Sequence, residues 1–453
     1  MISILKNKVQ GFLNFGNERS LKLKKNIIYT FLIRGTSFLI GFALVPLTIH
    51  YVNPVQYGLW ITISSLIAWM NTFDIGLSNG LRNNLAHSLA INERINIVKY
   101  VSTTYALLSL IALSIFLLFF VTGSFFDWNQ LLNVKNAVNY NIWPIILIAL
   151  GAFCIQFSLQ PISSILIATH QPFKSSMILL FGQMLTLLLI YILTIYTKGS
   201  LLTLVIVVAG SPVLMFLIAN IYLFNSGLAS FAPKFSFIDF KVAKRLLNIG
   251  VVFFFIQIGA LVLYETDNIV LTRVLGPRSV TTFNVGFKYF SLLIVSFSII
   301  ITPFWSAFTD AYAKKDMEWI RRSLKKMRIF WIFFSIAALL SFLFAHKFYE
   351  LWVGKTIPVS RELSLCLAIY VIAQAWQVLH SYVLNGTGKL RMQLILLIAT
   401  SLINIPLSVF LVGRLGVHGT VISNIVVMVI MDIVFTYQAE LIINGKAKGI
   451  WDR

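Results

Sequence analysis

Apolar stretches of about 20 residues recur along almost the whole chain and are separated by short polar segments. A helix needs about 20 apolar residues to cross the hydrocarbon core, whereas the strands of a membrane barrel alternate apolar and polar residues. The pattern therefore predicts an all-α integral membrane protein. The twelve predicted transmembrane helices lie at about 27–49, 58–80, 101–123, 142–168, 175–196, 201–224, 246–272, 281–303, 328–346, 363–385, 391–411 and 418–443.

The second half of the sequence echoes the first. Adding 223 to the residue number takes Pro54 to Pro277 and Ala90 to Ala313 without a gap. Other pairs are Glu93 with Asp316, Ile97 with Ile320 and, at a shorter offset of 218, Gln156 with Gln374 and Thr169 with Thr387. Six spans per copy is an even number, so both copies enter the membrane from the same side. This predicts two parallel-repeat lobes of six helices, an arrangement found in transporters.

The predicted domain boundaries follow from this repeat. Residues 1–26 form a cytosolic segment, either a short interfacial helix or a disordered basic tail. The remaining parts are an N-lobe at 27–224, a polar and basic cytosolic linker at 225–245, a C-lobe at 246–443 and a cytosolic tail at 444–453.

Composition agrees with a membrane protein and explains the strong positive charge. The 453 residues are 58% hydrophobic and only 11% charged, against about 25% charged in soluble domains. The net charge of +21 could indicate a nucleic-acid partner. However, most of the 36 Lys and Arg fall in segments on the same side of the predicted membrane as the N-terminus, which is the positive-inside pattern. We expect both termini in the cytosol, anionic membrane lipids as partners and no nucleic acid.

Signals for catalysis or a cofactor are not recognised in the sequence. The six His are scattered without metal-ligand spacing, and the two Cys lie in apolar surroundings. The Gly-Lys pairs at Gly354, Gly388 and Gly445 lack the earlier glycine of a P-loop. We therefore expect no enzyme activity and no cofactor; coupling to protons or sodium is a hypothesis.

Proline residues interrupt several predicted spans, where they either kink the helix or serve static packing. The positions are Pro144 and Pro161 in the fourth span, Pro212 in the sixth, Pro303 at the end of the eighth and Pro406 in the eleventh.

Ionisable groups inside the first two spans are candidates for function, since each costs several kcal/mol when it is unpaired in a membrane. Arg34 and Asp74 have similar predicted depths, so Arg34 either faces an anionic substrate or pairs with Asp74. For Asp74 a structural role is favoured, because polar neighbours including Ser78 and Arg82 surround it in sequence.

A second set of ionisable groups lies in the second half. Glu265 and Asp267 are two residues apart, roughly 200° around a helix, so they are expected not to face one cavity unless the helix is distorted. Lys288 lies at a matching predicted depth and is a candidate for the substrate cavity. Asp432 is expected to be satisfied inside the C-lobe. Gln257, Asn268 and Asn284, with Tyr264, Tyr289 and Trp305, are predicted to line a sugar-sized passage.

Two runs carry a family resemblance. Thr72–Ala90 (TFDIGLSNGLRNNLAHSLA) and Pro303–Ala313 (PFWSAFTDAYA) resemble Wzx-type O-antigen flippases of the multidrug/oligosaccharidyl-lipid/polysaccharide exporter superfamily. The resemblance implies a V-shaped, alternating-access flippase of the cell inner membrane. Its implied substrate is an undecaprenyl-diphosphate-linked oligosaccharide for O-antigen, capsule or exopolysaccharide, with a polysaccharide polymerase and chain-length proteins as partners.

The resemblance also bears on the site and on the alternatives. Relatives carry basic residues in the central cavity, and Arg34 and Lys288 fit that role here, although lipid II flippases have more arginines. Coupling in relatives would correspond here to Asp74, Glu265 or Asp267. An ion-coupled exporter of small molecules of the MATE type is the alternative function. A polymerase or ligase would need a large outer loop, which the sequence does not contain.

Overall fold

The computed structural model describes residues 18–74, 76–90, 93–134, 141–169, 171–243 and 265–452. Within these ranges the regular structure is helical, and nine helices are long and apolar enough to cross a membrane. The prediction of an all-α membrane protein is therefore confirmed. Gln257 and Tyr264, most of the predicted seventh span and residues 1–17 of the predicted N-terminal segment lie outside the described residues.

The first half contains nine α-helices in the described ranges. They are α1 Glu18–Tyr51, α2 Pro54–Ala68, α3 Leu77–Ala90, α4 Arg94–Gly123, α5 Trp128–Leu131, α6 Trp143–Leu159, α7 Pro161–Ala168, α8 Pro172–Tyr196 and α9 Leu201–Phe224. A 3₁₀ helix at Trp69–Asp74 joins α2 towards α3, and two more at Ala229–Phe231 and Phe235–Phe237 lie in the predicted linker.

The second half begins with a helical segment at 265–275. It continues with α10 Pro277–Ala313, α11 Met317–Val353, α12 Arg361–Thr387, α13 Arg391–Leu415 and α14 Val417–Ile443, and ends in a 3₁₀ helix at Gly449–Asp452.

The internal repeat is visible in the helix boundaries. Pro54 and Pro277 each begin a helix, where a missing backbone N–H carries no penalty. Ala90 and Ala313 each end one, and the next helix starts directly after Glu93 in the first copy and Asp316 in the second. Between these limits the second copy is one continuous helix, α10, whereas the first copy is divided.

The division of the first copy lies at Asp74–Gly76, and it corrects the prediction of a single span at 58–80. Gly76 has φ 76°, a left-handed conformation that costs little only for glycine. The carboxylate of Asp74 accepts hydrogen bonds from the backbone N–H and hydroxyl of Ser78, in the first turn of α3. The equivalent positions of α10 are Phe297 and Ile299, which neither favour a break nor cap a helix.

The five prolines predicted to interrupt spans have different positions relative to the observed helices. Pro161 begins the new helix α7 directly after α6, so the predicted interruption is present. Pro144 is in the first turn of α6 and causes no kink inside it. Pro303 was predicted to end the eighth span, but α10 continues for ten residues beyond it to Ala313. Pro212 and Pro406 lie inside α9 and α13.

The chain forms two compact units. One comprises Met1–Val52, Asn71–Phe126 and Ile142–Phe254, and the other Asn53–Met70, Asp127–Asn141 and Phe255–Arg453. In the described residues, α2 and α5 therefore group with the second unit, although both come from the first half of the sequence. The predicted lobes at 27–224 and 246–443 stay a prediction.

In the first unit, a polar contact satisfies the backbone at the break between α6 and α7. The side-chain amide of Asn220 donates to the carbonyl of Leu159 at 3.1 Å, next to the proline that begins α7. The hydroxyl of Tyr105 in turn donates to the amide oxygen of Asn220 at 2.5 Å. A broken helix is tolerated in a membrane when neighbouring side chains bind the freed groups in this way.

In the second unit, close packing of α10, α11, α12 and α14 forms the core. The rings of Phe297 and Phe334 lie 4.8 Å apart, and both are buried. Gly386 of α12 approaches α10 so closely that a Cβ there would lie 2.7 Å from the Cβ of Phe308. Small residues that allow helices to approach are a main source of helix association where lipid removes the hydrophobic drive.

Candidate functional site

A cavity of about 520 Å³ lies in the second unit between α2, the helical segment 265–275, α10 and α12. Its lining is both apolar and polar, and we call the part formed by Ser65, Asn268 and Asn284 the polar wall. Its lining residues are Ile61, Ser64, Ser65, Ala68, Glu265, Asp267, Asn268, Phe283, Asn284, Phe287 and Tyr370. Four residues predicted for the site, Glu265, Asp267, Asn268 and Asn284, are thus brought together around one cavity.

A chain of hydrogen bonds runs along the polar wall. The side-chain amide of Asn284 donates to the oxygen of Asn268 at 2.7 Å, and the amide of Asn268 donates to the hydroxyl of Ser65 at 2.9 Å. Asn284 also donates to the carbonyl of Val280, one turn earlier in α10. These contacts fix the orientation of both amides, because each amide oxygen and nitrogen is distinguished by its partner.

The carboxylate of Asp267 is held from α14. Asn424 donates to Asp267 Oδ2 at 2.6 Å, and Asn404 of α13 donates to the oxygen of Asn424 at 2.9 Å. All three side chains are buried, with Asp267 only 4% exposed. The partner of Asp267 in the described structure is therefore an amide.

Glu265 and Asp267 both contribute to the cavity lining, although roughly 200° separates their directions on a regular helix. Lining one cavity does not require the two side chains to point the same way, and the expectation that they do not both face it stays a prediction. Asp267 is buried and bonded to Asn424, whereas Glu265, at the same cavity, is half-buried. The charged residues in the lining of this cavity are acidic, whereas the sequence analysis predicts cations for the substrate cavity.

Lys288, predicted as a cavity cation, is not among the lining residues. It lies one turn beyond Asn284 on α10 and is half-buried. Arg34 is carried by α1, but its side chain lies outside the described part of the structure, and so the predicted Arg34–Asp74 pair does too. Arg82 is exposed on α3, and Asp74 is only 7% exposed and bonded to Ser78.

Helix α2 is attached to the second half of the chain by polar contacts along its length. The hydroxyl of Thr281 donates to the carbonyl of Pro54 at 2.5 Å, and the hydroxyls of Thr62 and Thr272 are bonded at 2.5 Å. Between them, Gly58 touches the backbone of Pro277. The start of the predicted second span is therefore one wall of the cavity, which the repeat pattern did not indicate.

Helix α5 joins the same unit through its last carbonyls. The guanidinium of Arg273 donates to the backbone oxygens of Gln130 and Leu131 at 3.2 and 2.9 Å. The C-terminal carbonyls of a helix lack partners within it, and a cation is a favourable partner there.

A further polar cluster, which the sequence reasoning missed, joins α11, α12 and α14. Arg328 Nη2 lies 2.7 Å from Glu440 Oε1 and 3.1 Å from His380 Nε2. The guanidinium also lies over the ring of Trp376, at 5.6 Å from its centroid. The sequence signal for this cluster is a histidine within a predicted apolar span, and in the structure that residue, His380, is fully buried.

The family model described as polysaccharide biosynthesis protein matches residues 23–308, and the MatE model matches residues 241–410. An uncharacterized membrane protein, EpsK, of Bacillus subtilis (strain 168) is 20% identical and covers 90% of this chain and 80% of its own length. A putative O-antigen export protein of Yersinia pseudotuberculosis is 22% identical and covers 79% of this chain and 82% of its own length.

Solved structures show the same fold. A lipid II flippase, MurJ, in an inward closed conformation has a TM-score of 0.70 at 15% identity and covers 91% of this chain and 87% of its own. A multidrug resistance transporter of the MATE family, in an inward-facing conformation, has a TM-score of 0.69 at 17% identity and covers 92% and 95%. The chain thus has the fold of these membrane transporters and, by the match over residues 23–308, belongs to the polysaccharide biosynthesis protein family.

Proposed function

We propose that the protein is a flippase that moves an undecaprenyl-diphosphate-linked oligosaccharide from the cytosolic to the outer leaflet of the inner membrane by alternating access. The observation that carries the proposal is the family match over residues 23–308. The relative described as a putative O-antigen export protein and the fold shared with a lipid II flippase support it. The product would serve the assembly of O-antigen, capsule or exopolysaccharide.

The chemistry of the cavity suits an oligosaccharide. Amides and hydroxyls both donate and accept hydrogen bonds, as sugar hydroxyls do, and Asn268, Asn284 and Ser65 place such groups on one wall. Beside Asn284 on α10, the lining also includes the rings of Phe283 and Phe287, giving the apolar lining with a few polar groups that ligand cavities usually have. Together these polar and aromatic groups favour a polar ring-shaped ligand over a small ion.

Arg34 and Lys288 are the cations proposed to meet the diphosphate. An arginine can bind two phosphate oxygens at once, whereas a lysine acts as a point charge. Lys288 is one turn from Asn284 on the same helix, so a ligand held by the amide wall would place its charged end within reach of α10.

The driving ion is proposed to act through the acidic residues. Asp267, held by Asn424, and Glu265 are the candidates at the cavity, while Asp74 caps α3 and suits a structural role. We further propose cytosolic termini, on the basis of the positive-inside pattern.

The proposal is tested by deleting the protein and identifying the lipid-linked oligosaccharides that remain in the membrane by mass spectrometry. Accumulation of one complete repeat unit, with loss of the surface polysaccharide, is expected. Restoring the wild-type chain should reverse both changes, whereas the double variant Asn268→Ala and Asn284→Ala should not. Unchanged lipid-linked pools and unchanged surface polysaccharide in the deletion strain would refute the proposal.

A MATE-type exporter of small molecules is the second candidate, favoured by the MatE match over residues 241–410. It predicts ion-driven efflux of small organic cations from proteoliposomes. Efflux of such cations by the purified protein, combined with normal surface polysaccharide after deletion, would select this function instead.

A further inference from the structure

A second concave site, which we call the α11/α14 groove, lies in the same unit and shares no lining residue with the cavity. Its volume is about 310 Å³. Its lining residues are Trp331, Ile369, Ile372, Ala373, Trp376, Ile425, Val429 and Asp432. The groove is flanked by exposed apolar side chains, including Ile369, Val429 and Ile433, which is 65% exposed. Exposed apolar side chains on membrane-spanning helices are compatible with contact with lipid chains.

Asp432 is the one acidic or basic residue among the lining residues of the groove. It is 8% exposed, and its Oδ1 atom is buried without a hydrogen-bond partner among the described residues. This corrects the expectation that Asp432 is satisfied inside the C-lobe. An unpaired carboxylate in an apolar membrane site costs several kcal/mol, and a bound proton removes that charge.

Trp376, which lines the groove, also contacts the Arg328 cluster, whose charged groups are engaged with each other. Arg328 binds both Glu440 and His380. Glu440 lies two turns beyond Asp432 on the same helix, and between them Thr436 accepts a hydrogen bond from Trp376 Nε1 at 2.9 Å. On the neighbouring helix α13, the described sequence contains no ionisable side chain between Arg391 and Arg414.

The hydrogen bonds of His380 assign it a neutral state. Its Nε2 faces Arg328 Nη2, which can only donate, so Nε2 must accept. Its Nδ1 lies 3.0 Å from the carbonyl of Trp376, which can only accept, so Nδ1 carries the proton. A second proton on His380 would break the contact with Arg328. The imidazole is therefore a fixed part of the cluster, and Asp432 is the group in this region with an open site for a proton.

We propose that Asp432 is a proton-binding site in the α11/α14 groove that helps to drive transport. One proton from water at the membrane surface binds the carboxylate to give the neutral acid, and its release restores the carboxylate. The neutral form suits the apolar groove, whereas the charged form requires a donor such as the Trp376 indole, now bonded to Thr436. The role in driving transport rests on the proposed function, but the proton site itself does not.

Labelling with a hydrophobic carbodiimide tests the site directly, because this reagent enters from lipid and reacts with protonated carboxyl groups. We expect mass spectrometry of the full-length protein in lipid nanodiscs to locate the adduct at Asp432. Above the midpoint the labelling should fall about tenfold per pH unit, as for a single protonated acid. Asp432→Asn should remove the adduct, and Glu440→Gln should keep it. An unlabelled Asp432, or labelling that does not change with pH, would overturn the proton site.

The role in transport has a separate readout. A pH-sensitive dye inside proteoliposomes should report proton movement that Asp432→Asn lowers at least about tenfold, and the same variant should lower surface polysaccharide in cells. Asp432→Glu, which keeps the acid, should retain part of both. If Asp432 is labelled but Asp432→Asn supports normal proton movement and polysaccharide, its role in driving transport is wrong. If deletion of the protein leaves the lipid-linked pools unchanged while the labelling titrates, the flippase function fails and the proton site stands.

Discussion

Gly58 and Pro277 touch backbone to backbone: a Cβ atom at Gly58 would lie 1.8 Å from the carbonyl oxygen of Pro277. No real Cβ sits so close to backbone, and a backbone carbonyl at a helix start cannot move aside as a side chain can. The contact between α2 and α10 therefore depends on the absence of a side chain at position 58.

Gly58→Ala is expected to force α2 away from α10 and to weaken the cavity wall. Overpacking of this kind costs about 1 to 3 kcal/mol of unfolding free energy. Thermal unfolding in detergent measures the loss. Gly210→Ala is the matched control, because a Cβ there meets nothing within 4 Å inside helix α9. Equal stability of the two variants would show that α2 and α10 are not in this contact in the native protein.

The amide pair in the cavity can be tested by a double-mutant cycle. Asn268→Ala and Asn284→Ala each remove a partner of the 2.7 Å hydrogen bond between them. Side-chain hydrogen bonds between membrane helices contribute about 0.6 kcal/mol on average, and up to about 1.7. We expect a coupling free energy in this range from unfolding of the two single variants and the double variant. Strict additivity would mean that the bond does not form.

Substitution of Lys288 tests the proposed contact with the diphosphate. Lys288→Ala should lower surface polysaccharide, whereas Lys288→Arg should retain most of it, because the positive charge is kept. Lys315→Ala is the control, since Lys315 lies exposed in the turn between α10 and α11. Normal surface polysaccharide in a strain that carries Arg34→Ala together with Lys288→Ala would rule out binding of the diphosphate by these two cations.

Two arginines on α11 offer a comparison of paired charges. Arg328→Ala removes the ion pair with the partly exposed Glu440 and leaves the buried His380 without its donor, and an unsatisfied buried partner costs about 1 to 3 kcal/mol. Arg322 pairs with Glu318 at 3.4 Å, and both side chains are about two-thirds exposed or more. Arg322→Ala should therefore change stability by less than about 1 kcal/mol. Similar losses in the two variants would contradict a stabilising role for the Arg328 cluster.

A pH-dependent contact holds the end of the chain. Lys389 Nζ lies 3.0 Å from Asp452 Oδ1, and this hydrogen bond raises the pKa of Lys389 above its ordinary value. A raised folded-state pKa means that the stabilisation is fully present below the unfolded pKa and is lost as pH rises through the folded one. Exchange of the backbone amides of residues 449–452 should therefore stay slow, relative to the intrinsic rate, across neutral pH and increase only in strong alkali. Lys389→Gln should increase that exchange already at neutral pH, and no difference from wild type would refute the contact.

The positions of most membrane helices could be predicted from the apolar stretches and from the internal repeat. Apolar length predicted the membrane helices, and the offset of 223 pairs Pro54 with Pro277, each of which begins a helix in the structure. The break at Gly76 was not predicted, because a glycine in an apolar run reads the same whether its φ is negative or positive. Only the capping of α3 by Asp74 decides between the two.

The site was predicted in part because polar residues in apolar spans are rare and therefore conspicuous. Asn268, Asn284, Glu265 and Asp267 do line one cavity. Their partners Ser65 and Asn424 are about 200 and 160 residues away along the chain, and the sequence gives no measure of such distances. The same limit hid the cluster around Arg328, whose members come from three different helices.

The attachment of α2 to the second unit has a consequence for cutting and recombining the chain. Thr62 and Ser65 make hydrogen bonds to Thr272 and Asn268, which lie beyond the linker at 225–245. A fragment that ends in this linker would keep those hydroxyls but lose what they bind. In a chimaera, the first six spans of this chain would be joined to the second half of a relative. Thr62 and Ser65 would then lose the same partners unless Asn268 and Thr272 are also taken from this chain. Although the two halves of this sequence are repeats of one another, each therefore contributes hydrogen-bond partners that the other needs.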